Sequence, residues 1–211
     1  ARRIAEGPAG RNSGFMIDLP HNLGSSDYAG ALNEDRIQTE MNRHAINFAK
    51  ESALEFGFTK EAIVVSGKVN AAASEKGMRH NLDYSKHLKT LGEDFELLDE
   101  KQMHSICGSK YYKQGLFTPG TAMLQPAMYI RELAGAFAKS GGMIFENSAV
   151  TNLEKRTSDW QASSQRGAVT AGKVILAVNG HAESFGLFKR RLMHIYLYAS
   201  MTRPLGETEV S

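Results

Sequence analysis

Residues 173–180 read KVILAVNG, an apolar run closed by an Asn-Gly pair. Val174, Ile175, Leu176, Ala177 and Val178 follow one another with no polar residue between them. A strand built from them has to bury both faces, as strands of parallel sheets do. The Asn-Gly turn then falls at the strand's C-terminal end. That is where open α/β sheets bind nucleotide-like ligands. A second unusual segment, Gly10-Arg11-Asn12-Ser13-Gly14-Phe15, lies near the other end of the chain.

Between these two segments the periodicity changes several times. Residues 1–33 are rich in Gly, Pro, Ser, Asn and Asp, and read as a loop. Asn33 is a cap for a helix running to about Phe56, with Ile37, Met41, Ala45 and Phe48 at helical spacing and Gly57 as its stop. Ala62 to Val69 is β-branched and reads as one strand. A polar helix covers Ser74 to Leu91 and ends at Gly92; Phe95 to Leu98 is a short strand; Asp99 caps a short helix ending near Cys107. Tyr111 to Phe117 is extended, and Thr118-Pro119-Gly120 is a turn.

Pro126 then opens the clearest helix. Its Ile130, Leu133, Ala134, Phe137 and Ala138 make one apolar stripe that reads as core, and Gly141-Gly142 ends it. Met143 to Phe145 and Ala149 to Leu153 read as strands. Trp160–Ala162 and Ala168–Thr170 read as a hairpin around Ser163 to Gly167. Leu192 to Met201 is a further extended candidate. This mixed order suits an α/β fold with α+β character and more than one layer.

Composition narrows the function classes. Net charge is +2, from 25 basic and 23 acidic residues, which gives no argument for nucleic acid or an anionic membrane surface. No segment approaches the roughly 20 apolar residues needed to span a bilayer. Cys107 is the single cysteine. It excludes an intrachain disulfide, favours a reducing, cytoplasmic compartment, and is expected to pack as a small buried thiol. There is no Ser-His-Asp order, His-x-x-x-His, Cys-x-x-Cys or P-loop lysine, and no metal site is expected.

Four segments, in this order, resemble FAD-dependent amine and amino-acid oxidoreductases of the D-amino-acid oxidase and glycine/sarcosine oxidase type. The γ-glutamylputrescine oxidoreductases are the most similar branch. The segments are Gly10 to Phe15, similar to the family's GRNGG-type loop; Leu124-Gln125-Pro126; Gly142 to Val150; and Val169 to Gly180. The resemblance implies a partial FAD-binding domain of the glutathione-reductase-like Rossmann type over residues 1–60 and 140–190. It implies a mixed-sheet substrate, or cap, domain with helices over 61–139 and 191–211.

It also implies where FAD would be held. Gly10 and Gly14 would let backbone approach the pyrophosphate, while Arg11, Asn12 and Ser13 would supply donors. Val150 would contact the adenine through its backbone, and Ala177, Asn179 and Gly180 would lie beneath the phosphates. The implied chemistry is hydride transfer from an amine-bearing carbon to flavin, with the imine hydrolysed by water. The partner is a small amine or amino acid, and pairing with a second copy is open.

The family's strand and G-x-G-x-x-G fingerprint do not occur in the chain. An internal piece of a longer protein, binding FAD poorly or not at all alone, is therefore expected. Two other readings stay open: a non-catalytic binding module on a degenerate flavoprotein scaffold, and a flavoenzyme acting on a hydroxy acid. His21 and His181 are near the two turns, and Tyr111 and Tyr112 suit either a substrate cavity or the two faces of a strand. No catalytic residue is assigned.

Overall fold

The structure, a computed structural model, describes residues 3–20, 32–193 and the isolated positions 195, 198, 203, 205 and 206. The chain divides into two compact units, Pro8–Met143 and Ala1–Gly7 with Ile144–Ser211.

In the Pro8–Met143 unit, a short 3-10 turn over Pro8–Gly10 leads to β1 (Phe15–Met16) and α1 (Leu32–Glu55). Then come β2 (Ile63–Val65), β3 (Lys68–Ala72), α2 (Glu75–Leu91), β4 (Glu96–Leu98), α3 (Glu100–Cys107), β5 (Gln114–Thr118), β6 (Ala122–Leu124) and α4 (Pro126–Lys139). Two three-stranded antiparallel sheets result, in the orders β1-β6-β2 and β3-β5-β4.

The helix ends follow their sequence signals. Ser74 caps α2 by accepting a hydrogen bond from Gly77 N at 3.2 Å, and Gly92 closes it at φ +81. Asp99 and Gln102 form a reciprocal capping box on α3, with both bonds at 2.8 Å. Asp99→Ala removes one of these bonds and is expected to cost about 1 kcal/mol, read as a lower midpoint in urea unfolding followed by the helical circular-dichroism signal. An unchanged midpoint would mean that solvent replaces the cap without loss.

The sequence suggests one strand over Ala62 to Val69, whereas the chain forms two. Gly67 has φ +69, and a Cβ there would run into the Phe117 ring. Ser66 N and Gly67 N both donate to Thr121 O. The break lets the chain leave one sheet and enter the next, with Lys68 paired to Thr118. Tyr111 and Tyr112 lie before β5, edge-to-face with each other at 5.3 Å.

Two small cores hold this unit. Leu19, Tyr84, Leu88 and Leu116 pack together with Phe95 against them. Ala49, Ala53, Ala62 and Tyr129 form the other, flanked by Met16, Phe58, Ile63 and Leu124. The second core corrects two helix assignments. α4 turns Tyr129 inward, its hydroxyl donating to Ala49 O at 2.9 Å, and buries Ala136. The expected core stripe is thereby left open, with Leu133 and Phe137 exposed. α1 likewise buries Ile46, Ala49 and Ala53 and exposes Ile37, Met41, Ala45 and Phe48. Periodicity located the apolar stripes but not the face that finds a partner: Ala49, Ala53 and Tyr129 pack in the core, while Phe48, Leu133 and Phe137 are exposed.

The second unit contains a three-stranded antiparallel meander of β7 (Val150–Lys155), β8 (Trp160–Ser164) and β9 (Gly167–Ala171). The expected hairpin is present, with Ser164 opposite Gly167. Lys155 pairs with Trp160 and lies 5.9 Å from its ring centroid.

KVILAVNG departs most from expectation. Residues 173–178 join no sheet among the described residues, and Ile175 is 92% exposed. A doubly buried strand requires neighbours on both edges and cover on both faces. The described residues of this unit supply only the β7–β9 meander. The segment therefore stays outside the described sheets, and every described strand pairing is antiparallel. Met143 to Phe145 also form no strand and are exposed. Leu192 to Met201 lie mostly outside the described residues, as does His21.

Candidate functional site

The GRNSG segment folds into a self-contained turn. Asn12 Nδ2 donates to Ala9 O at 2.8 Å and Pro8 O at 3.3 Å, while its Oδ1 accepts from Gly14 N at 2.9 Å. The side chain thus acts as an internal strut, since an Asn amide can replace backbone partners in a turn. Gly14 is buried at φ +79, and its carbonyl accepts from Leu124 N at 2.8 Å. A Cβ on Gly14 would overlap the Leu124 carbonyl oxygen. The turn is therefore clamped onto β6, one residue before Gln125-Pro126 opens α4.

With Asn12 engaged, Arg11 and Ser13 point to another role. Both are exposed, and neither side chain has a hydrogen-bond partner among the described residues. A guanidinium and a hydroxyl on a rigid turn suit a phosphate-bearing ligand. These two open donors are chemically compatible with a phosphate-bearing group such as the pyrophosphate of FAD.

The other expected cofactor residues lie in the second unit. Val150 begins β7 and is 44% exposed. Ala177 is exposed on the unpaired segment. Asn179, at φ +49, and Gly180 begin a 3-10 turn over Asn179–Phe185, which also carries the exposed His181. Gly10 to Gly14 are thus assembled locally, as are Asn179 and Gly180. Each described sheet is confined to one unit, so no strand pairing joins the two turns. Cys107, the last residue of α3, is exposed rather than buried, its thiol donating to Met103 O at 3.1 Å.

A further feature escaped the sequence reading. In the Pro8–Met143 unit, a cavity of about 860 Å³ opens between β1, β3 and α2, within the size range of small-molecule sites. Phe15, Ile17 and Leu19 give it an apolar wall, and Lys68, Lys76 and His80 a basic one. Burial lowers the Lys68 pKa from its ordinary value, against a smaller opposing pull from the Asp18 carboxylate. Asp18 is itself fully buried, taken up by Thr121 Oγ1 at 3.3 Å and Arg43 at 3.2 Å. The available signal was a lysine inside a β-branched run directly after glycine: a charge where a strand should be apolar. Tyr111 and Tyr112 do not line this cavity.

Among the described residues, no cluster of His, Cys, Asp or Glu could hold a metal ion, and no helix is long and apolar enough to cross a membrane.

Comparison with known proteins gives this geometry a family. The probable oxidoreductase OrdL of Haemophilus influenzae is 24% identical over 214 residues, covering 97% of this chain and 49% of that protein. Glycine oxidase from Bacillus cereus shares the fold with a TM-score of 0.70 at 17% identity, over 90% of this chain and 51% of that one. L-amino acid deaminase from Proteus myxofaciens does so with a TM-score of 0.60 at 16% identity, over 84% of this chain and 39% of that one. The chain spans about half the length of the curated relative it matches. The family model described as FAD dependent oxidoreductase matches residues 1–211, and the chain belongs to that family.

Proposed function

We propose that this chain is part of an enzyme that oxidises an amine or amino acid, and that its GRNSG turn helps to hold FAD. The observation that carries the proposal is the division of labour within the turn. Asn12 braces it from inside, and Arg11 and Ser13 are left open toward solvent on a backbone clamped to β6. Such preorganised donors bind an anion with little further ordering. Val150, Ala177, Asn179 and Gly180 complete the proposed cofactor set.

When bound, FAD supplies the redox chemistry, taking a hydride from the amine-bearing carbon. The chain's own residues bind and orient. The Arg11 guanidinium offers charge-assisted bonds to phosphate oxygens, and the Ser13 hydroxyl one more. The single cysteine, exposed and without a second thiol, suits a reducing compartment, and we place the protein in the cytoplasm.

The test has two parts. The 211-residue chain has no G-x-G-x-x-G, so FAD is expected to separate from it on gel filtration. In a polypeptide of the relatives' length, Arg11→Ala is expected to weaken FAD about tenfold, near 1.4 kcal/mol, in a fluorescence titration. Affinity unchanged by Arg11→Ala would remove the turn from the cofactor site. Anaerobic bleaching of the flavin by amines or amino acids supports the substrate class. Bleaching by hydroxy acids alone would replace it, and no bleaching by either would favour a binding module.

A further inference from the structure

We propose that Asn179-Gly180 is a site of spontaneous covalent modification, at which the asparagine loses ammonia through a cyclic imide and becomes aspartate or isoaspartate. The reaction uses only this turn and water. It needs no flavin, so it stands or falls separately from the oxidoreductase reading.

The step is an attack by a backbone nitrogen on the neighbouring side chain. The Gly180 amide nitrogen gives up its proton to solvent and bonds to Asn179 Cγ. The Cγ–Nδ2 bond breaks, the departing nitrogen takes up a proton and leaves as ammonia, and a five-membered succinimide remains. Water then opens either of the ring's carbonyls. One opening gives aspartate; the other gives isoaspartate, with the backbone rerouted through the former side chain. No oxidant or reductant enters.

The structure leaves the reacting atoms free. Asn179 is exposed, and its side-chain amide has no hydrogen-bond partner among the described residues. Asparagines in turns ordinarily bond nearby backbone, which ties up the carboxamide. Gly180 is the second residue of the 3-10 turn over Asn179–Phe185, within the first turn, where N–H groups lack a helical partner. Its N–H meets no acceptor among the described residues. Glycine also carries no Cβ to crowd the forming ring. Upstream, residues 173–178 join no described sheet, so no strand ladder restrains Asn179. Downstream the turn is anchored: Ala182 is buried, and Ser184 Oγ donates to His181 O at 2.6 Å. The two residues that must rearrange precede that anchored part.

Other exposed asparagines lack this combination. Asn12 precedes Ser13, and its amide is engaged with Ala9 O, Pro8 O and Gly14 N. Asn147, at φ +50, precedes Ser148, whose Cβ flanks the attacking nitrogen. Asn179-Gly180 is the single Asn-Gly pair in the sequence. Where Asn179 serves the cofactor as proposed, either product sets a negative charge against its phosphates.

The 211-residue protein, held in neutral buffer at physiological temperature, digested in acid and mapped by mass spectrometry, tests the site. Asn179 is expected to gain the mass of one deamidation about tenfold faster than Asn12 and Asn147, or more. Methyl acceptance from protein isoaspartyl methyltransferase should rise in step. Gly180→Ala is expected to slow the conversion about tenfold, because a methyl group crowds the attacking nitrogen. Gly180 lies outside the left-handed region, so its backbone suits alanine. Asn179→Gln, whose extra methylene would demand a six-membered ring, should abolish both signals in the same incubation, and it serves alone should the alanine variant fold poorly. Deamidation spread evenly over the three asparagines would overturn the proposal. So would an Asn179 that keeps its amide while Asn147 reacts, aspartate formed with no isoaspartate, or a Gly180→Ala rate equal to the parent's.

Discussion

Gly14→Ala is expected to destabilise the Pro8–Met143 unit by about 2–5 kcal/mol, combining two separate costs. A left-handed backbone at φ +79 costs an L-residue about 1–2 kcal/mol. The added methyl would also overlap the Leu124 carbonyl oxygen, and forcing atoms into a packed site costs about 1–3 kcal/mol. The oxygen cannot swing away cheaply, because it belongs to the backbone of β6, whose residues pair with both β1 and β2. Among the described residues all four α-helices lie in this unit, so urea unfolding followed by the helical circular-dichroism signal chiefly reports it. Gly108→Ala is the control: φ is +68 there, but a Cβ would meet open space. It should cost only the backbone share, about 1–2 kcal/mol. If the two substitutions cost the same, the turn is not clamped to β6. The consequence for binding follows from the same geometry. Gly14 N holds Asn12 Oδ1 and Gly14 O holds Leu124 N, so displacement of Gly14 loosens the turn that presents Arg11 and Ser13.

Much of the fold was legible wherever the sequence carried a local stop or start. Ser74 with Gly92, Asp99 and Pro126 each marked a helix boundary within a residue or two. Caps act through bonds to their own turn, so one segment contains the whole signal. The β8–β9 hairpin was legible for the same reason, its loop being only two residues long. Signals that need a distant partner failed. The apolar stripes of α1 and α4 were real, but Ile46, Ala49, Ala53 and Tyr129 took the packed faces, leaving Phe48 72% and Phe137 53% exposed. KVILAVNG was read as doubly buried, a property of its neighbours rather than of itself. In the candidate site, the GRNSG turn was recognisable from its residues, but the inward use of Asn12 required coordinates. The Lys68 cavity depends on β1, β3 and α2 meeting, which no single segment announces.

Tyr84→Ala is expected to be the most damaging single truncation, at about 3–5 kcal/mol. Tyr84 is 0% exposed and packs with Leu19, Leu88 and Leu116, so its loss opens a cavity at the junction of α2, β5 and the segment after β1. The ring also carries a polar anchor, its hydroxyl donating to Pro20 O at 2.9 Å. Tyr84→Phe separates the two contributions. It keeps the ring volume but strands that carbonyl, which should cost about 1 kcal/mol. If Tyr84→Phe proves as costly as Tyr84→Ala, hydrogen bonding rather than packing holds this core.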